Sequence, residues 1–243
     1  MSEWHPDMPL EYRNQIVHGE ALEVLLRLPA DSVDGVLTDP PYSSGGLMRS
    51  DRMGASTSKY CITERTTMKT FHGFSGDNRD QRSYEYWCAL WLGQCLRVTR
   101  PGGVLCMFTD WRQLPVSTDA IQAGGWGWRG GVPWDKTEAC RPQQGRFANQ
   151  CEYVVWASKG GVDANDGKCL PGIIRVYGHP SEKEHIAQKP LGVLRQLLAL
   201  WRPGSVILDP FAGFGSTAVA CVEEGHRFIG IEQEVGWAER ARE

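Results

Sequence analysis

The four residues Asp39-Pro40-Pro41-Tyr42 follow directly on the apolar run Gly35-Val36-Leu37-Thr38. A residue that precedes proline is pushed toward extended backbone, so both Asp39 and Pro40 are held out of the helical region. The Asp39 carboxylate and the Pro40 carbonyl then stand as two fixed hydrogen-bond acceptors. An exocyclic amine on a nucleobase offers two N–H donors, and its lone pair is normally delocalised into the ring. Two acceptors gripping those hydrogens draw the nitrogen toward sp³ geometry and aim the lone pair outward. Tyr42 supplies a flat face on which a base can stack. A base in a duplex reaches such a pocket only after leaving the stack. The competing reading is a proline-stiffened strand exit with Tyr42 simply packed.

A second segment, Val206-Ile207-Leu208-Asp209-Pro210-Phe211-Ala212-Gly213-Phe214-Gly215-Ser216-Thr217, reads as a strand, a glycine turn and a helix start. Gly213 and Gly215 let the backbone come close to a ligand. The N–H groups of the helix that begins near Ser216 and Thr217 face the same place. Glu232 ends the following strand, seventeen residues beyond Gly215. A carboxylate so placed can accept hydrogen bonds from both hydroxyls of a ribose. The turn lacks the third glycine of the dinucleotide fingerprint, and Asp209 would repel a pyrophosphate. An adenosine carrying a positive group, as S-adenosylmethionine does, fits better than a nicotinamide dinucleotide. A plain tight turn is the alternative.

The elements that must position these residues follow from periodicity. Strands are expected at Gln15–His18, Gly35–Thr38, Val104–Thr109, Gly127–Trp134, Cys151–Ala157, Val206–Asp209 and Phe228–Glu232. Helices are expected at Glu20–Leu28, from Pro190 to about Trp201, at Thr217–Glu223 and at Gln233–Arg242. Tyr84, Trp87, Cys88, Trp91, Leu92 and Cys95 share one helical face. Arg100-Pro101-Gly102-Gly103 is expected to end that helix. Strands alternating with helices make an α/β protein, a doubly wound and mostly parallel sheet. One catalytic domain is expected across residues 1–243, with a long loop insertion at 43–83 and a short irregular segment at 160–184.

Composition sets bounds on partners. The chain has 243 residues, 41% apolar and 23% charged, enough for an ordinary core. No 18-residue apolar run or secretory leader is visible, so a cytoplasmic protein is expected. The eight cysteines include no C-x-x-C pair and the six histidines are scattered, so neither a metal nor a disulfide framework is expected. Net charge is −3, which leaves nucleic-acid binding to local patches. Ser43–Ser83 carries seven Lys/Arg against four Asp/Glu, whereas Ser205–Glu243 carries three Arg against seven Asp/Glu.

Taken together, the two motifs resemble those of the DNA amino-methyltransferases that act on adenine N6 or cytosine N4. Further likeness lies in Arg13–Tyr42, Arg100-Pro101-Gly102-Gly103-Val104, Trp134-Asp135-Lys136, Asn149-Gln150-Cys151-Glu152-Tyr153 and Gln188-Lys189-Pro190. With the catalytic tetrapeptide first and the cofactor loop last, the order is similar to the family's permuted beta group. The resemblance implies a circularly permuted, Rossmann-like sheet of seven strands with a reversed hairpin at one edge, the chain ends meeting near Gln15 and Glu232. It implies S-adenosylmethionine as cofactor and no metal. Asp39 and Pro40 would hold the target amine, with Pro41 following them and Tyr42 stacking on the base. Asp209, Pro210, Phe211, Gly213, Gly215, Ser216 and Thr217 would line the cofactor, with Glu232 on its ribose. Glu20 stands where the family usually has an aspartate after a glycine, and Lys189 precedes the helix that covers the cofactor's methionine end.

Aspartate at the head of the tetrapeptide leans toward adenine N6, since cytosine-N4 members more often carry serine there. The partner would be duplex DNA, met by Arg49, Arg52, Lys59, Arg65 and Lys69 of the insertion, with Arg79 and Arg82 at its end. Arg141 and Arg146 of the loop Lys136–Arg146 form a second group. A homodimer and a restriction–modification setting would suit a small member of this group. RNA and protein-glutamine relatives mostly carry asparagine before Pro-Pro-Tyr. A nicotinamide dehydrogenase and a non-catalytic DNA-binding regulator are more distant alternatives.

Overall fold

The computed structural model describes residues 3–42, 79–138, 140, 144–145, 147–162, 167–177 and 189–241. In chain order the elements are β1 (Gln15–His18), α1 (Ala21–Arg27), β2 (Val33–Thr38), α2 (Gln81–Val98), β3 (Thr99–Thr109), α3 (Leu114–Ala123), β4 (Gly127–Asp135), β5 (Cys151–Ser158), β6 (Ile174–Arg175), α4 (Leu191–Leu198), β7 (Val206–Asp209), α5 (Ser216–Glu223), β8 (Arg227–Glu232) and α6 (Val235–Arg240). The strands form one sheet in the order β1-β8-β7-β2-β3-β5-β4-β6. Strands β1, β8, β7, β2 and β3 run parallel, and β5 is antiparallel to both β3 and β4.

The α/β class and mostly parallel sheet are therefore as expected, with three corrections. The sheet has eight strands rather than seven, because the two-residue β6 adds to β4 beyond the reversed strand. Strand β3 begins at Thr99, directly after the helix, but Arg100–Gly103 bulge out of its ladder with β2, where Val33 pairs with Thr99 and Gly35 with Val104. Helix α2 begins at Gln81, so the last residues of the expected insertion are helical. The ends do meet: β1 pairs with β8, and His18 stands opposite Glu232.

Both faces of the central strands are buried, and the two-residue alternation sends neighbours to opposite cores. Val36, Leu105 and Leu208 pack with α1, α2 and α3, against Leu25, Trp91, Leu92 and Ile121. Leu37, Cys106 and Ile207 pack on the other face with α4 and α5, against Val193, Leu197, Trp201 and Cys221. On α2, Tyr84, Cys88, Trp91, Leu92, Cys95 and Val98 form a fully buried stripe.

Register at the centre is fixed by Asp34. Its Oδ1 accepts from the Arg100 guanidinium at 2.7 Å, and its Oδ2 accepts from the Val206 N–H at 2.7 Å. One carboxylate thus ties β2 to both neighbours, four residues before the end of the strand. Gly35 is required there, because a Cβ would land inside the Trp201 indole. Gly35→Ala is expected to destabilise the fold by about 1–3 kcal/mol through overpacking, read as a lower denaturant midpoint at unchanged slope.

Candidate active site

The parallel strands β1, β8, β7, β2 and β3 end along one edge of the sheet, and their exits gather the acidic residues. Glu20 follows β1, Glu232 ends β8, Asp209 ends β7, Asp39 follows β2 and Asp110 follows β3. Ligands of open α/β sheets bind outside the carboxyl ends of the strands.

The two sequence motifs meet at the junction of β2 and β7. The Thr38 hydroxyl donates to Asp209 Oδ1 at 2.8 Å, and the Phe211 N–H donates to the same oxygen at 3.1 Å. Asp39 and Pro40 therefore lie next to the glycine bend. Asp209 is only 5% exposed. Burial, then the nearby Asp39 charge, pushes its carboxyl up to about 6, against the opposing hydrogen bonds of Thr217, Thr38 and Phe211.

A folded-state pKa above the unfolded value means that the native state binds the extra proton. Native stability then falls as pH rises from about 4 to about 6 and stays lower above that window. Asp209→Asn keeps an Oδ1 acceptor for Thr38 and Phe211 and resembles the protonated acid. It is expected to gain about 3 kcal/mol at neutral pH relative to the parent, with little difference below pH 4. Thermal unfolding of both proteins across that range checks this. Equal stability at neutral pH would contradict it.

The bend itself uses left-handed backbone at Gly213 (φ 51°) and Gly215 (φ 78°), the latter capping α5. A Cβ at Gly215 would press on Ala241, whereas the space beside Gly213 is open. Glu232 braces the bend, accepting from the Gly213 N–H at 2.9 Å and the Glu234 N–H at 2.8 Å. Its carboxyl lies above the ordinary range because burial outweighs those bonds. Each oxygen keeps a second lone pair for a ligand hydroxyl.

Glu20 caps α1, its Oε2 accepting from the Glu23 N–H at 3.1 Å. It sits beside the Gly19 N–H, which donates to the Glu232 carbonyl at 3.0 Å. Phe211 turns its ring to α2, with centroids 5.0 Å from Trp91 and 5.3 Å from Trp87. Pro210 is buried behind the bend, and Ser216 and Thr217 open α5.

Lys189 meets Asp39: its Nζ stands 2.5 Å from Asp39 Oδ2. Burial alone would pull its ammonium down, but the Asp39 and Glu152 carboxylates outweigh that and raise it above an ordinary lysine. Glu152 and Thr38 are the site residues that local motif reading misses. An acid inside the otherwise apolar strand Cys151–Ser158 was the available signal for Glu152. Of the basic residues expected at DNA, Arg49, Arg52, Lys59, Arg65, Lys69, Arg141 and Arg146 lie outside the described residues. Arg79 lies over the Trp87 ring at 4.1 Å.

Residues 33–243 match the family model described as DNA methylase. The chain belongs to the N6/N4 DNA methylase family. Methylase YubD of Escherichia coli strain K12 is 26% identical to this DNA methylase over 90% of the chain and 84% of its own length. Among solved structures, the M1.HpyAVI–SAM complex superposes with a TM-score of 0.65 at 21% identity, covering 93% of this chain and 96% of that one. The cytosine-N4-specific PvuII DNA methyltransferase superposes at 0.69 with 15% identity, covering 96% and 88%. These two likenesses establish the methylase fold. Among the described residues there is no helix long and apolar enough to cross a membrane, and no group of three or more metal-ligating side chains.

Proposed function

We propose that this DNA methylase transfers a methyl group from S-adenosylmethionine to the N6 amine of adenine in duplex DNA. The observation that carries the reading is the junction of the two motifs. Asp39 directly follows Thr38, whose hydroxyl is bonded to Asp209 at the start of the glycine bend. The M1.HpyAVI structure holds S-adenosylmethionine on the same fold.

The bend suits that cofactor. Its open space at Gly213 admits a close ligand, and its acids favour a cationic nucleoside over a pyrophosphate. Glu232 would accept the ribose hydroxyls, Glu20 would face the adenine amine, and Asp209, Phe211 and Gly215 would shape the remaining wall. The bound cofactor supplies an electrophilic sulfonium methyl. The residues of the chain do the rest. Asp39 and the Pro40 carbonyl grip the two amine hydrogens of the flipped base and aim its lone pair at the bend. Tyr42 stacks on the base. Orientation of this kind is worth on the order of 7–11 kcal/mol in favourable cases. The amine proton released after transfer can pass to Asp39 or to water.

Cytosine N4 is the second reading, favoured by the superposition on the cytosine-N4-specific PvuII enzyme. The deciding experiment incubates the protein with radiolabelled S-adenosylmethionine and unmethylated duplex DNA, then digests the DNA to nucleosides. Label in N6-methyl-2′-deoxyadenosine is expected. Label in N4-methylcytosine would move the reading to the second base, and label only in RNA or protein would refute a DNA substrate.

A further inference from the structure

We propose that Lys189 is a positioning residue of the amine clamp, keeping the Asp39 carboxylate ionised and in one orientation while Glu152 balances its charge. The proposal rests on the methyl-transfer reading of the same site. Four charged side chains alternate in sign away from the clamp. Asp39 Oδ2 lies 2.5 Å from Lys189 Nζ, which lies 3.6 Å from Glu152 Oε2. Glu152 Oε1 then lies 3.3 Å from Lys136 Nζ, just past β4. The Lys189 side chain is only 10% exposed. Its ammonium also lies over two rings, Phe108 at 5.2 Å and Tyr42 at 5.6 Å. One cation thus touches both the acceptor and the stacking face of the clamp.

The need for it comes from Asp209. Asp39 stands close enough to Asp209 for its charge to raise the Asp209 carboxyl, and the effect is mutual. Two neighbouring carboxylates in a partly dry site drive one of them to take up a proton. A protonated Asp39 would present an O–H donor where the amine requires an acceptor. An ammonium at hydrogen-bond distance removes that outcome, and it also stands 3.6 Å from Glu152 Oε2 as an ion pair. Pro190, at φ −61° and capping α4, fixes the backbone that delivers the lysine from 150 residues away in sequence. Facing Asp39 are Lys189 from the α4 lead and Asp209 from β7, with Tyr42 on its own segment. Glu152 of β5 and Lys136 after β4 lie behind Lys189.

The test reads Asp39 itself. Carboxyl ¹³C resonances, assigned with Asp39→Asn, are titrated in the parent protein, Lys189→Met, Lys189→Arg and Glu152→Gln, without DNA or cofactor. Lys189→Met is expected to raise the Asp39 midpoint by at least about one pH unit. Lys189→Arg should keep the parent midpoint, and Glu152→Gln should lower it. The acid limb of the kcat/KM profile should move with the midpoint while cofactor affinity stays near that of the parent. A Lys189→Met midpoint that does not rise would overturn the proposal. If that variant does not fold, a Glu152→Gln midpoint that stays or rises would do the same. A purely packing role would lower activity at every pH without moving the limb. The titration needs no substrate, so absence of DNA methylation in the parent would refute the functional reading and leave this result standing.

Discussion

Asp39→Ala is expected to lower methyl transfer at least about 10³-fold while cofactor affinity stays within the range of the parent. Removing one preorganised hydrogen-bonding group from a reacting centre typically costs about 10²–10³ in rate. Asp39 does more than this. In the proposed reading it would grip the amine together with the Pro40 carbonyl, and it pairs with the buried Lys189 at 2.5 Å. Its loss leaves Lys189 facing a single, more distant carboxylate at 3.6 Å. The bend that would hold the cofactor does not depend on Asp39, since the bonds bracing it come from Thr38, Phe211, Gly213, Glu232 and Glu234. Single-turnover transfer together with calorimetry of cofactor binding separates the two effects. Collapse of affinity with transfer surviving would contradict the assignment of Asp39 to the base side.

Glu232→Ala should give the complementary result, a loss of cofactor affinity on the order of 100-fold or more with a much smaller change in kcat at saturation. Hydrogen bonds to a charged group contribute about 1.5–3 kcal/mol each, and two ribose hydroxyls would be released together. The substitution also removes the acceptor of the Gly213 and Glu234 N–H groups, at 2.9 and 2.8 Å. The bend would then lose its brace as well as its ligand contact. Steady-state kinetics at varied cofactor, with calorimetry, reads the split between KM and kcat. An unchanged dissociation constant would move the ribose contact elsewhere.

Much of this site was legible in the sequence because its parts are local. Asp39-Pro40-Pro41-Tyr42 and the G-x-G bend each follow a short apolar strand. Strands Gln15–His18 and Val206–Asp209 have the bounds that their apolar runs imply. The pairing of residues far apart in sequence was not legible. Lys189 precedes a proline-started helix, which gives a local reason for its position and none for its partner. Its contact with Asp39 depends on how α4 docks on the sheet.

Elements were missed for physical reasons too. Helix α3 (Leu114–Ala123) starts at Gln113 without a side-chain cap and carries Pro115, Ser117 and Thr118, so its local signal is weak. Between Thr99 and Val104 strand β3 bulges out of its pairing with β2, with Gly102 at a left-handed φ of 82°, so a segment that reads as a breaker interrupts the ladder without ending the strand. Strand β6 has two residues and exists only through its pairing with β4.

In this reading the amine clamp proposed after β2 and the nucleoside bend after β7 form one continuous pocket. The most direct measurement is the affinity of a bisubstrate compound, adenosine joined through its N6 atom by a short linker to the position of the transferable methyl in a cofactor analogue. The parent protein is expected to bind it more tightly than the cofactor half alone. Asp39→Ala should abolish only that gain, and Glu232→Ala should weaken both compounds. Equal affinity of the parent for the joined compound and the cofactor half would contradict a shared pocket.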